Sequence, residues 1–407
     1  MKTKGMGRRD FLKSSAAGLG GFIYLSSEKQ PLKMVEDKKE DKKEEDKKLA
    51  YRVLGKTGIK LPVITMGVMN TDNPNLVRAA LDAGMFHLDT GQTYQRGTQE
   101  ARVGEVIKER SRDSFIIATK ARSSVDQNTG LYSAEATEEA QTQKIDTSLK
   151  NLGLDYVDIF YHNNVWVRET ALYEPVLKAL EKAKKGGKIR SIGISTHRNE
   201  PEVIQAAIDS KVYDVVLTAY NFRQQHAAEV KKAIARAAEA GLGVVAMKTI
   251  GGVRVMEKPG SESIDVKAAL KWVLQDPNVS TIIAGFTTFD QMNINLSIMK
   301  DMALTKREKE SLHRVTLVSG LYCQGCGKCV SQCAYQLPIP DLMRAYMYVY
   351  GYRNLGEAQD LLFSLNLPAE VCGDCASCPV ECLNRWNISD RIRDVARLKD
   401  VAPEFLA

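Results

Sequence analysis

From residue 51 onward, short apolar runs rich in Val, Ile and Leu alternate with longer stretches whose apolar residues recur every three to four positions. A short β-branched run reads as a buried strand, and a 3.6-residue period reads as a helix with one face covered. Their strict alternation predicts parallel β/α units. Strands are expected near Ile64 and over 86–88, 114–118, 156–161, 191–194, 215–219, 244–246 and 281–284. The count is eight, the number that closes a parallel barrel. Helices are expected between them, for example over 134–152 and over 172–185. Gly186 and Gly187 end the latter, since glycine takes the left-handed turn at a helix C-terminus without steric cost. No internal repeat is detectable.

A barrel of this kind uses about 250 residues, so a chain of 407 has room for a second unit. The organisation expected is a signal segment over 1–30, a charged linker over 31–50, a (β/α)₈ TIM barrel over 51–313 and a mainly α-helical domain over 314–407. Gly7-Arg8-Arg9-Asp10-Phe11-Leu12-Lys13 precedes an Ala/Gly-rich apolar stretch that ends at Leu25. It resembles a twin-arginine export signal, so a periplasmic protein is expected, or one tethered to the membrane by an uncleaved signal. From Glu36 to Lys48 nearly every residue is Glu, Asp or Lys. Such a run has too little apolar surface to offset chain entropy and reads as a solvated spacer; the alternative is a charged docking tail. The formal charge of +7 owes much to the first thirty residues, which hold six cations against two acids. The near balance elsewhere argues against a nucleic-acid surface. No apolar run approaches the roughly 20 residues of a spanning helix, so no transmembrane span is expected in the mature chain.

All eight cysteines lie between Cys323 and Cys382. Clustering of that kind indicates metal ligation rather than a disulfide framework. Cys323-x2-Cys326-x2-Cys329-x3-Cys333 and Cys372-x2-Cys375-x2-Cys378-x3-Cys382 repeat the bacterial ferredoxin spacing, in which the fourth cysteine of each run reaches the other cluster. One [4Fe-4S] cluster is therefore assigned to Cys323, Cys326, Cys329 and Cys382, the other to Cys372, Cys375, Cys378 and Cys333. Zinc is the alternative metal. The intervening stretch 339–366 reads as helical and is longer than a small ferredoxin's linker, so the module is expected to be an α-helical ferredoxin-like one.

In such a barrel the chemistry sits at the C-terminal ends of the strands. Asp89 follows the second strand, Tyr94 lies in the loop beyond it, Lys120 closes the third and His162 the fourth. Singly, an Asp there is more often a helix cap, a Lys a solvated charge and a His a hydrogen-bonded core residue. Jointly, HLDTGQTYQRGTQEARVGEVI, IIATKA, YVDIFYHNN and IRSIGIST resemble the aldo-keto reductase superfamily over roughly residues 51–304, including Gly97, Glu100 and Gly104 of its second-strand signature. The resemblance implies that Tyr94 is the proton donor, Lys120 lowers its pKa, Asp89 orients Lys120 and His162 positions the carbonyl oxygen. The chemistry agrees: hydride reduction of a carbonyl creates an alkoxide that needs a nearby acid and local positive charge, and a phenol of ordinary pKa about 10 needs help to serve.

No Gly-x-Gly-x-x-Gly follows a first strand, so a Rossmann domain is not offered. IIAGFTTFDQMNINL instead resembles the family's segment after strand eight, which grips the nucleotide. Carried over by position, Gly285, Thr287, Gln291 and Asn295 contact the nucleotide and Ser195 meets the nicotinamide amide. Met247 and Lys248 stand where the family often stacks an aromatic ring, Leu217 replaces its usual glutamine, and Gln291 falls at its phosphate-selecting basic position. The resemblance implies NADP, or NAD. The function expected is oxidoreduction of a small carbonyl or alcohol, sugar-derived compounds among the candidates, with the clusters exchanging electrons with a redox partner protein. The alternative is a binding or docking protein with a degraded nucleotide site and structural clusters. Anaerobically prepared protein is expected to hold about eight irons per chain; zinc, or four irons, in elemental analysis overturns the two-cluster assignment.

Overall fold

The computed structural model describes residues 48–252, 264–316, 320–372, 375 and 377–406. The twin-arginine segment and most of the charged spacer lie outside the described residues. The first element among the described residues is an antiparallel hairpin, β1 (Tyr51–Val53) and β2 (Lys60–Pro62), joined through a 3₁₀ turn at Gly55–Thr57. This hairpin, absent from the sequence expectation, closes the bottom of the barrel. Leu54 and Leu61 are fully buried against Ala118, Ile159, Tyr161, Val215, Leu217 and Val245 in the barrel interior. Gly55 sits at φ +51°, and a Cβ there would come within 2.3 Å of the Gly243 backbone nitrogen. The Arg52 guanidinium fixes the hairpin from outside by donating to the carbonyls of Leu274, Asp276 and Val279.

Eight parallel strands then close the barrel: β3 (Ile64–Gly67), β4 (His87–Asp89), β5 (Ile116–Ala121), β6 (Val157–His162), β7 (Ile189–Thr196), β8 (Val215–Ala219), β9 (Gly243–Met247) and β10 (Thr281–Gly285), with β10 pairing back onto β3. All eight expected strands are present. The third starts two residues late, because Arg112–Ser114 forms a 3₁₀ turn ahead of it. Around them lie α1 (Pro74–Asp82), α2 (Gln99–Ile107), α3 (Glu138–Leu152), α4 (Arg168–Ala171), α5 (Glu174–Lys185), α6 (Glu200–Ser210), α7 (Ala227–Glu239), α8 (Val266–Leu274), α9 (Phe289–Lys300) and α10 (Lys306–Thr316). α3 begins at 138 rather than 134 because the Thr137 side chain accepts from the Ala140 N–H, a cap that fixes where the helix can start. α5 ends as expected, with Gly187 at φ +77°.

Residues alternate inward and outward along each strand. On β5, Ile116 and Ala118 pack toward the barrel axis while Ile117 and Ala121 join the outer core beneath the helices. That register puts Lys120 inside, at the mouth. On β6 the same alternation sends Ile159 and Tyr161 inward and Phe160 outward, so His162 points outward.

The C-terminal stretch forms α11 (Ile339–Tyr350), α12 (Leu355–Phe363) and α13 (Ile388–Ala396). They enclose a separate core that includes Leu342, Tyr348, Leu361 and Ile392. The helical reading of 339–366 thus holds, broken near Gly351. These helices cover the mouth of the barrel. Arg198, after β7, pairs with Asp341 of α11 at 3.3 Å; Arg344 donates to Asn164, after β6, at 3.1 Å; and Asn354 donates to Asn70, after β3, at 2.9 Å. Among the described residues no helix is long and apolar enough to cross a membrane.

Candidate active site and cysteine sites

The site forms where β4 and β5 lie side by side, with Asp89 opposite Ala118 in the ladder. Lys120 is 6% exposed and forms an ion pair with Asp89. It also donates to the Thr90 carbonyl at 2.7 Å. Burial pushes the Asp89 carboxyl up, and the Lys120 ammonium pulls it back. The other carboxylate oxygen, Oδ2, is buried with no partner.

The loop after β4 delivers Tyr94 to this pair. Gln95, Arg96 and Gly97 all take positive φ, of 51°, 56° and 80°, which turns the chain tightly enough for the Gln99 N–H to bond the Tyr94 carbonyl at 3.2 Å. Gly91 makes the approach possible. A Cβ there would lie 3.3 Å from both the Lys120 side chain and the Tyr94 ring. The Lys120 ammonium stands 5.0 Å from the Tyr94 ring centroid. The Tyr94 hydroxyl is held well above its ordinary pKa by burial first, then by the charges of Asp89 and Glu357 and by Tyr348; Arg122 pulls it back. Tyr94 therefore carries its proton, and the opposing cation is one the sequence reading did not name.

His162 does not join this group. It is turned to the outer face of β6, where Tyr213 donates to the Ala171 carbonyl at 2.7 Å and so accepts from His162 Nδ1 at 2.7 Å. The Tyr132 hydroxyl then donates to Nε2. Both ring nitrogens are spent away from the mouth, which corrects the expectation that His162 positions a carbonyl oxygen. The inward neighbours are Tyr161 and Asn163. Tyr161 lies with its ring 5.9 Å from the Lys120 ammonium, and its buried hydroxyl has no partner. Its ring fits because Gly193 on the adjacent strand has no side chain: a Cβ there would come within 2.2 Å of it. Asn163 follows on the same side of the alternation and accepts from the Ser195 hydroxyl at 2.8 Å. Counting by twos from Ile159 along β6 was the signal that could have found both.

The expected nucleotide contacts divide. Ser195 is buried and its hydroxyl is committed, donating to Asn163 and accepting from the Asn164 N–H at 2.9 Å. Met247 ends β9 on its inward side, with Lys248 next at φ +54°. At Gly285 a Cβ would meet nothing nearer than 3.9 Å, so the rim beside β10 is open. Gln291 accepts from the Thr287 N–H at 2.9 Å, and Asn295 is buried on α9. Between Gly285 and Met299 there is no lysine or arginine. The open rim and the amide and hydroxyl groups along it fit a nicotinamide nucleotide through neutral contacts.

None of the eight cysteines is joined to another as a disulfide. Burial pushes the Cys323 thiol up to about 12, with Cys329, Cys326 and Cys382 adding in the same direction. Burial likewise raises Cys372, and its neighbours are Cys333, Cys375 and Cys378. Cys329 in turn is raised by burial and by Cys326, Cys382 and also Cys333, so the two runs lie near one another. The Gly325 N–H donates to Cys323 Sγ at 3.4 Å. Cys323, Cys326, Cys329 and Cys382 line one cavity, floored by apolar Ile339, Met343 and Trp386. Among the described residues no three His, Cys, Asp or Glu side chains converge tightly enough to hold a single metal ion. Four thiols spread around a cavity fit a cluster in which each iron takes one cysteine.

Comparison with known proteins agrees with the barrel. Residues 65–265 match the aldo/keto reductase family. L-Glyceraldehyde 3-phosphate reductase of Escherichia coli (strain K12) is 33% identical over 174 residues, 40% of this chain and 49% of that protein, so the chain spans about half the length of that relative. L-Galactose dehydrogenase of Arabidopsis thaliana is 24% identical over 313 residues, 67% of this chain and 94% of that protein. Among solved structures, an aldo-keto reductase from Bacillus halodurans in its holo form superposes with a TM-score of 0.54 at 21% identity, over 66% of this chain and 96% of that one. An aldo-keto reductase from Klebsiella pneumoniae in complex with NADPH gives 0.53 at 20% identity, over the same shares. These structural likenesses establish the (β/α)₈ fold.

Burial, with Lys144 adding to it, lowers His162 to about pKa 3. The folded protein then binds fewer protons than the unfolded chain below the ordinary histidine value of about 6.5, so this group costs stability progressively as pH falls from about 6.5 toward 3. Ring ¹⁵N shifts in labelled protein are expected to report a neutral, Nδ1-protonated His162 at pH 5; an imidazolium there overturns the hydrogen-bond assignment.

Proposed function

We propose that this chain, whose barrel carries an aldo/keto reductase family domain, is an oxidoreductase acting on a small carbonyl or alcohol compound with NADP or NAD, and that its C-terminal module is a ferredoxin-like domain with two [4Fe-4S] clusters serving a redox partner protein. The observation that carries the catalytic reading is the buried Asp89–Lys120 pair beside a protonated Tyr94 at the barrel mouth. A bound nicotinamide would supply hydride, and bound clusters would supply single-electron transfer. In reduction, Tyr94 donates its proton to the oxygen that gains charge, and the Lys120 ammonium, fixed by Asp89 and the Thr90 carbonyl, stabilises the phenolate left behind. Asn163 supplies N–H donors at the same rim, in the role that His162 was expected to fill. The names of the relatives, a glyceraldehyde phosphate reductase and a galactose dehydrogenase, support a sugar-derived substrate. The structure bound to NADPH supports NADP. The grouped cysteines and the cavity that four of them line support cluster binding.

Tyr94→Phe is expected to keep fold and iron content while losing at least about a hundredfold in turnover, the scale of a lost general acid, and Lys120→Met to behave alike. Near-normal turnover in either variant overturns the assignment. A parallel assay denatures extensively dialysed protein and measures NAD and NADP in the supernatant. Close to one nucleotide per chain is expected, because export would take the protein from its nucleotide supply and retention then demands slow dissociation. No nucleotide released and none bound on addition leaves the docking alternative.

We further propose export by the twin-arginine route, on the basis of Arg8 and Arg9 ahead of the apolar stretch. Fractionation of cells carrying the Arg8→Lys, Arg9→Lys double variant is expected to find the protein retained inside; unchanged export removes the signal reading.

A further inference from the structure

Between the barrel mouth and α11 lies a cavity that the chemistry above does not use. His197 and Arg198 line it from the loop after β7, Lys248 from the loop after β9, Cys323 from the segment laid across that loop, and Arg344 together with the carboxylate Asp341 from α11. The segment lies close: a Cβ on Gly252 would meet the Tyr322 backbone nitrogen at 2.9 Å.

Positive charge here exceeds its compensation. Arg198 and Arg344 share one carboxylate, Asp341. Arg344 spends a further N–H on Asn164, and its buried Nε has no partner. Lys248 lies 5.6 Å over the Tyr348 ring, with no ion pair or hydrogen-bond acceptor among the described residues, and burial, with Arg344 adding to it, lowers it to about pKa 7, so it is only partly charged at neutral pH until an anion joins it. Arg122, after β5, does not line the cavity but bears on Lys248; it makes no ion pair among the described residues, and its Nε is buried without a partner. Lys248, Arg344, Arg122 and Lys120 all bear on His197, whose buried Nδ1 is also unpartnered. Unpaired charges removed from water are costly, and an anion with several acceptor oxygens relieves several at once. Tyr348 links this cavity to the catalytic group, since Lys248 covers its ring while it acts in turn on Tyr94.

We propose that this cavity is the anion subsite of the active site: it holds the carboxylate or phosphate of a small carbonyl substrate between Lys248 of the barrel and Arg344 of α11, with the carbonyl end toward Tyr94. This rests on the oxidoreductase reading for the word substrate, but the anion site itself stands on the charges and the cavity. The rival account is that Lys248 and Arg198 serve only to balance the thiolate of Cys323, which also bears on both.

The test uses full-length, anaerobically purified protein. Binding of inorganic phosphate and of oxalate is measured by calorimetry on the parent chain, on Lys248→Met and on Arg122→Met; turnover is compared for glyceraldehyde 3-phosphate, glyoxylate and uncharged glyceraldehyde. Expected is saturable binding of phosphate or oxalate, weakened at least tenfold in Lys248→Met, together with a KM for the matching anionic aldehyde at least tenfold below that of glyceraldehyde, an advantage that Lys248→Met removes. Which probe binds tells phosphate from carboxylate, and either supports the subsite. Binding of neither overturns it, as does displacement of the bound anion by one NADP per chain, which assigns the cavity to the nucleotide. A Lys248→Met variant that alters the visible spectrum of the iron sites while leaving anion binding intact overturns it in favour of the rival account. Turnover without anion preference sinks the subsite and spares the oxidoreductase reading; Lys248-dependent anion binding in a chain without turnover does the reverse.

Discussion

Lys120 carries its charge at the end of a strand whose other inward residues are apolar, and it can do so only because Asp89 stands beside it on the neighbouring strand. A lone ammonium in that position would be unaffordable in solvation terms, and removing either partner from a buried pair leaves the other uncompensated. Much of the mouth is arranged around this pair. Gly91 clears the space through which Tyr94 reaches it, the three left-handed residues at 95–97 hold that loop in place, and Tyr161 lies beneath it in the room that Gly193 leaves. The pair also sets the sign of the local field: the Asp89 carboxylate helps keep Tyr94 protonated while the ammonium waits for charge to develop.

The helical cap extends the same electrostatic logic outward. It brings Arg344 and Asp341 from one helix and Glu357 from the next, so that Arg122 and Lys248, which would be ordinary solvated cations on an open barrel, become enclosed ones. A cation is inexpensive in water and demanding in a cavity. The cap thereby turns loop residues of no special sequence character into a recognition surface, and it sets Cys323, a member of the first cysteine group, into the wall of that surface.

How far the sequence reached follows from the range of the interactions involved. Strand and helix positions came through because periodicity is local, and the meeting of Asp89, Tyr94 and Lys120 at one strand end was open to the same kind of reading, since a strand end followed by a charged or phenolic residue is a local pattern too. The proposed pairing of the cysteines rests on the same kind of local signal, spacing within two short runs. His162 misled because residue type was weighed above register: a shift of one position along β6 reverses the face, and the inward residues are Tyr161 and Asn163. The hairpin plug of Leu54 and Leu61, and the meeting of Arg122, His197, Lys248 and Arg344, depend on residues far apart in the chain. No window of sequence contains them.

The cap is fastened at several edges rather than one. Arg198 with Asp341, Arg344 with Asn164 and Asn354 with Asn70 tie it to the loops after β7, β6 and β3. A roof held on one side can swing, whereas a roof held around its rim must break polar contacts on several sides together before it lifts. An occupant of the space beneath leaves no faster than those contacts part, so the rim sets a ceiling on exchange that even a weakly held molecule obeys.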